Sequence, residues 1–433
     1  MALVAPTSTS ASAAPTGTDQ PTPRYTSALA SLTVLFFMMG FITCLNDILI
    51  PYLKGLFTLS YAKVNLVNFC FFGAYLVMGV PAGWLVKRLG YKGGMLVGFL
   101  IAAAGCCLFF PAAESRTFAL FLGALFVLAT GVVTLQVAGN PYVAILGPPH
   151  TASSRLTLTQ AFNSLATTIA PVLGARLILS HLPDLSQLTP AQTAALDITS
   201  VQYLYLGIAA VLVLISLLLA FLKLPQIAHA PAPAGDTQRA WHFRHLVLGL
   251  VGIFAYVGAE VAIGSHIVSY LGQPEVMGMA ARDAGEQVAF YWGAAMLGRF
   301  AGIFVLRAVR PGRVLAVTAV GAVLLVLLSI NTSGAVAMWS LLAVGLMNAV
   351  MFPVIFTLAV AGLGRHTEDA SGLLSAAIVG GALIPPLFGL LADSQSGGGG
   401  VHALRLAFLL PVLCYLYILW YGLKGHVVRQ PAQ

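Results

Sequence analysis

The feature that most constrains this chain is a recurrence. Apolar runs of roughly 20 residues or more, each long enough to cross a hydrocarbon layer of about 30 Å as a helix, follow one another along almost its whole length. Lipid offers backbone N–H and C=O groups no partner, so a chain built this way must satisfy them internally, and the runs predict helices. Composition agrees: 59% of the 433 residues are hydrophobic and 8% charged, against about 25% charged in soluble globular chains. The expectation is an all-α polytopic membrane protein. A net charge of +8 does not make it a nucleic-acid binder, because the basic residues stand singly at run ends and form no patch. All five cysteines, Cys44, Cys70, Cys106, Cys107 and Cys414, lie inside apolar runs, where Cys packs as a small hydrophobe, and no disulfide or metal spacing is visible.

Charge, Pro and Gly punctuate the chain into twelve predicted spans: 27–57, 60–87, 93–112, 116–147, 153–180, 199–223, 243–271, 286–309, 311–331, 334–363, 369–393 and 402–424. Residues 1–26, rich in Ala, Ser, Thr and Pro and lacking the apolar core of a signal peptide, are expected to form a disordered tail, and 425–433 a short C-terminal one. Short cytoplasmic loops carry the excess of Lys and Arg. Of the 21 such residues, a cytoplasmic N-terminus puts 14 on the cytoplasmic side and five (Lys54, Lys63, Arg116, Arg282, Arg405) outside, with Arg176 and Arg299 inside spans. Both termini are therefore expected in the cytoplasm.

Residues 224–242 are Pro/Ala-rich and read as a cytoplasmic linker between six-helix halves at 27–223 and 243–424. Weak repetition supports that division. "GWLVKRLGYKGG" (83–94) has its counterpart in "GIFVLRAVRPGR" (302–313), "NPYVAILG" (140–147) in the segment from "FPVI" (352–355), and "PVLG" (171–174) in "PLFG" (386–389), in the same order. Two pseudo-symmetric halves with a site between them at mid-membrane is the plan of an alternating-access carrier.

An ionisable side chain at membrane depth costs roughly 2.5–3.5 kcal/mol on insertion scales, so each needs a reason. Among the 13 acids, Asp47 and Glu260 alone fall well within predicted spans; Asp393 sits at a span end and the others fall in loops or tails. Either acid is a candidate ion-coupling group, because a carboxyl in low dielectric can take up a proton on one side and release it on the other. The alternative is a buried acid locked to a neighbour such as Arg299. Sodium is also open, since a carboxylate and an amide oxygen such as that of Asn46 are hard-cation ligands.

Amides form a second constellation. Gln136 and Asn140 share a face of the fourth span, and Gln160, Asn163 and Thr167 a face of the fifth. Asn and Gln both donate and accept hydrogen bonds, which suits a polyhydroxylated solute in an apolar cavity. They also serve as interhelical glue, and Asn140, before Pro141, suits a kink. Aromatic residues including Tyr75, Tyr256, Tyr291 and Phe352 offer a stacking wall or plain packing. His266 reads as a core histidine, Arg299 as a gate residue or partner of an acid, and the basic turns with Lys87 and Arg88 and at 307–313 as braces.

"CLNDILIPYLK", "FCFFGAYLVMGVPAG", "LQVAGNPYVAILGP", "SSRLTLTQAFNSLATTIAP", "YVGAEVAIGS" and "YWGAAMLGRF" resemble the fucose permease and glucose/galactose transporter branch of the major facilitator superfamily, from about residue 31 to 424. The basic turn matches less well, with Val86 in place of the usual acid. The resemblance implies the superfamily fold, twelve transmembrane helices, a multi-pass bacterial inner-membrane location and proton-driven hexose uptake. It also implies no cofactor, no enzymatic activity and a monomer. It puts the coupling role on Asp47 and sugar contacts on Gln160 and Asn163. Gln136 stands where fucose permease members carry a second acid, Cys44 where they carry an amide and Phe352 where they carry a tyrosine. Losing those groups favours glucose, galactose or an N-acetylated hexosamine over L-fucose, with Asn348 a replacement contact. A sodium-coupled symporter, an L-fucose permease and a uniporter are the alternatives.

Overall fold

A computed structural model describes residues 25–56, 61–115, 117–177, 199–225, 239–394 and 400–428. Most of the expected tails and linker lie outside these residues. Helix runs through the rest. The first half contains α1 (Thr26–Leu56), α2 (Tyr61–Glu114), α3 (Phe118–Ile145), α4 (Ala152–Leu177) and α5 (Thr199–Phe221). The second begins with α6 (Arg244–Leu271), α7 (Ala281–Ala308), α8 (Pro311–Ile330), α9 (Gly334–Asn348) and α10 (Met351–Ala359). It ends with α11 (Thr367–Ala376), α12 (Gly380–Ser394), α13 (Val401–Ala407) and α14 (Leu409–Trp420).

Nine segments among the described residues are long and apolar enough to cross a membrane. The shortfall from twelve has local causes. One of the nine, Phe69–Glu114, holds two predicted spans, separated at Gly90, whose φ of 73° and ψ of 168° turn the chain where an L side chain would be strained. Helix α4 carries seven Ser and Thr besides Gln160, Asn163 and Arg155, too polar to qualify. Helix α5 contributes a shorter apolar segment, Tyr205–Phe221, among the described residues.

Both halves pack by one scheme. Helix α1 lies on α4 as α6 lies on α12, and the two limbs of α2 meet α3 and α5 as α7, α8, α9 and α14 meet one another. In the first half, Phe109 stacks on Tyr205 with ring centroids 4.1 Å apart, joining α2 to α5. Helix ends leave carbonyls without intrahelical donors, and basic residues take them. Lys92 Nζ donates to Ala220 O (2.7 Å) and Leu222 O (2.9 Å) at the end of α5. Arg155 donates to Val143 O (3.2 Å) and Ala144 O (2.7 Å) near the end of α3.

Two prolines occupy equivalent places in the halves, Pro141 in α3 and Pro353 in α10. A proline has no N–H, so the carbonyl four residues earlier loses its donor. Those carbonyls belong to Val137 and Ala349, and each is taken from another helix. Ser371 Oγ of α11 donates to Val137 O at 2.9 Å. Arg299 Nε of α7 donates to Ala349 O at 3.3 Å. Ala349 lies at the break between α9 and α10, which together occupy one predicted span.

Candidate functional site

In the first half α1 is held close against α3 and α4. Gly139 of α3 packs so closely that an added Cβ would stand 3.2 Å from the Phe36 ring. Asn163 of α4 donates its amide to the Phe36 carbonyl at 2.9 Å. A turn further on, Cys44 Sγ meets Thr167 O at 3.3 Å. The close approach of α1 and α4 depends on Gly40, where a Cβ would fall 2.3 Å from Asn163 O. Gln136 donates to the Tyr75 hydroxyl at 3.0 Å, linking α3 to α2. Gln136, Gln160 and Asn163 are half-buried, whereas Asn140 is fully buried and neither of its amide atoms has a hydrogen-bond partner. Asn46 and Asp47 are on α1, and their side chains lie outside the described residues.

The second half holds a buried network. Asn348 Nδ2 donates to the Tyr291 hydroxyl at 2.8 Å, and that hydroxyl donates to the Glu260 carbonyl at 3.1 Å. Asn348 is fully buried, so in this state it fixes Tyr291 and has no access to a solute. Phe352 is half-buried between Tyr256 (centroids 6.5 Å) and Phe356 (6.1 Å), an apolar wall. Arg299 sits among these groups. Its Nη2 is 4.0 Å from Glu260 Oε1, and its Nη1 donates to Ser164 Oγ of α4, in the other half.

Contacts between the halves gather toward the end that carries the Gly90 turn. Helices α2 and α11 meet through Gly79 and Gly372, where a Cβ on Gly79 would lie 2.7 Å from the Gly372 carbonyl. Lys87 Nζ pairs with Asp369 Oδ2 at 2.5 Å. Ser153 and Thr357 share a hydrogen bond of 2.6 Å, and Ser154 Oγ donates to Ile303 O at 2.8 Å. Arg88 stays on its own helix, its guanidinium 3.6 Å from the Trp84 ring centre.

Several contributors carry little sequence signal. Asp369 and Glu368 read as loop acids beside Arg365 and His366, yet both lie in the first turn of α11, and Glu368 is 4% exposed. Ser164, Ser371 and Tyr75 are ordinary helix residues by composition. The available signal was the proline: the residue four before it had to find a donor.

A sequence profile described as the Major Facilitator Superfamily matches residues 30–386. The chain belongs to this superfamily. Among superfamily relatives, the "Glucose/galactose transporter" of Brucella abortus biovar 1 (strain 9-941) is 53% identical over 404 residues, covering 93% of this chain and 95% of that protein. The "L-fucose-proton symporter" of Escherichia coli (strain K12) is 34% identical over 409 residues, covering 91% and 92%. The crystal structure of the superfamily transporter FucP, described as in the outward conformation, superposes with a TM-score of 0.84 at 33% identity, covering 92% of this chain and 98% of that one.

Proposed function

We propose that the protein is a secondary active transporter that takes up a hexose of the glucose or galactose type by proton symport, through alternating access between its two halves. The observation that carries the reading is the seam. Two similarly packed halves are joined at one end by hydrogen bonds, an ion pair and glycine contacts, and they carry half-buried amides, Gln136, Gln160 and Asn163, in the first half and the half-buried Phe352 in the second. A site between two bundles that close at one end is what alternating access requires.

The distribution of Lys and Arg orients that closed end, and both termini, toward the cytoplasm of a bacterial inner-membrane protein. The site would then open outward. Higher identity to relatives named for glucose and galactose than to the fucose symporter supports the substrate class, as does the loss of hydroxyl or amide groups at Phe352 and Cys44. Proton coupling through Asp47 is favoured over sodium by the relative named as a proton symporter. No cofactor is required, the partner is the sugar, and the monomer is the working unit.

Uptake of labelled glucose, galactose, N-acetylglucosamine and L-fucose into proteoliposomes tests this, under a pH gradient and then a sodium gradient. Accumulation of glucose or galactose driven by the pH gradient is expected. Accumulation driven by sodium alone would replace the proton with sodium, and movement of none of the four sugars would end the hexose assignment.

A further inference from the structure

Asp47 and Glu260 enter as the two acids inside the bundle, and the surroundings of Glu260 set it apart. Its side chain keeps 11% of its surface and that of Arg299 keeps 15%. A guanidinium stays charged at any physiological pH, so burying Arg299 demands a countercharge. Among the described residues the carboxylate within reach is Glu260, with Oε1 4.0 Å from Nη2. That separation exceeds the roughly 2.7–2.9 Å of a direct charge-assisted bond, and Glu260 Oε1 accepts no hydrogen bond. The guanidinium instead bonds Ser164 across the seam and the Ala349 carbonyl freed by Pro353.

Among the described residues the other groups around Glu260 are neutral. Tyr256 lies on the same helix, Tyr291 on α7, Asn348 on α9 and Tyr415 on α14. Neutralising the carboxylate would therefore leave a buried cation without compensation, which is strongly unfavourable.

We infer that Glu260 is the standing counter-ion of Arg299 rather than a carrier of the coupling proton, and that Arg299 is a positioning residue that exchanges Ser164 for Glu260 when the halves part at this end. Ser164 withdraws with its half, and the guanidinium closes the gap to a carboxylate already beside it. The gate thus loses one bond and gains one, and the pair's total charge stays fixed through the cycle. This inference rests on the transport reading above, and its first test does not need a substrate.

Four purified proteins are compared: the parent, Glu260→Gln, Arg299→Gln and the double variant. Each single change strands a charge and is expected to lower the melting temperature in detergent by roughly 3–5 °C. The double variant should melt above both. Additive losses would mean that the two residues do not act as a pair, and the inference would fall.

In proteoliposomes with labelled galactose, the double variant lacks the Arg299 bond across the seam, so its rates should change, but exchange and pH-driven accumulation should change together. Retained exchange with lost accumulation would make Glu260 the coupling acid and overturn the assignment. Ser164→Ala tests the exchange of partners: with Thr157→Cys as reporter in the seam, it should increase labelling by an impermeant maleimide from this end. Unchanged labelling would refute the exchange. If the parent moves no galactose, the melting cycle and the labelling still decide the pair, separately from the sugar assignment.

Discussion

The Asn163 amide ties α4 to α1 through the Phe36 carbonyl at 2.9 Å, so this residue braces the bundle whatever it also does for a solute. Gln160, one turn earlier and half-buried, has its side chain on the same helix face. The two substitutions should therefore behave differently. Gln160→Ala is expected to weaken sugar binding by about 1–3 kcal/mol, the cost of an unpaired group, with the melting temperature unchanged. Asn163→Ala should lower both affinity and melting temperature. Calorimetric titration and a thermal melt on the same preparations check this, and equal melting losses would contradict the distinction. Asp47→Asn is expected to abolish accumulation against a gradient while sparing exchange, since an amide cannot take a proton, and counterflow measured beside pH-driven uptake checks it. Accumulation that persists would remove Asp47 from the coupling role.

The prolines of α3 and α10 give each of those helices a joint. Pro141→Ala would restore an N–H that reaches Val137 O, in competition with the Ser371 hydroxyl. Loss of a hydrogen bond worth about 0.5–1.5 kcal/mol should move the balance roughly 2- to 12-fold toward the state open at this end. Spin-label distances between the N-terminus of α4 and the C-terminus of α10 read that shift. The helices themselves were legible because membrane solvation leaves an apolar run little choice, and the Gly90 turn because Gly and flanking charge mark it. The break at Ala349 and Val350 was not legible, being built from residues as apolar as their neighbours. Glu368 and Asp369 looked like loop acids because charge punctuates loops, yet α11 starts at Thr367 and carries both into the seam. Spacing put Asn140 and Asn348 on polar faces, but it could not tell which faces another helix would cover.

At the scale of the whole molecule the halves are held by two unlike seams. Between α2 and α11 stand close glycines and the Lys87–Asp369 pair. Between α4 and the helices α7 and α10 stand hydroxyl bonds and the Arg299 contact. Lys87→Glu should loosen the first seam, and Lys87→Glu combined with Asp369→Lys should restore it. The pair is 47% and 33% exposed, so solvent screening limits the effect to about 1 kcal/mol or less. Accessibility of an Ala376→Cys reporter, on α11 against Gly79, measures it from this end, and a double variant as open as the single one would remove the pair from the closure. The difference in exposure has an environmental consequence. Small ions reach Lys87 and Asp369 but not the hydroxyl bonds buried at Ser153 and Thr357. As the ionic strength of the facing compartment rises, the first seam weakens through screening while the second holds, so the salt on that side of the membrane biases the balance between closed and open states through one edge of the closure.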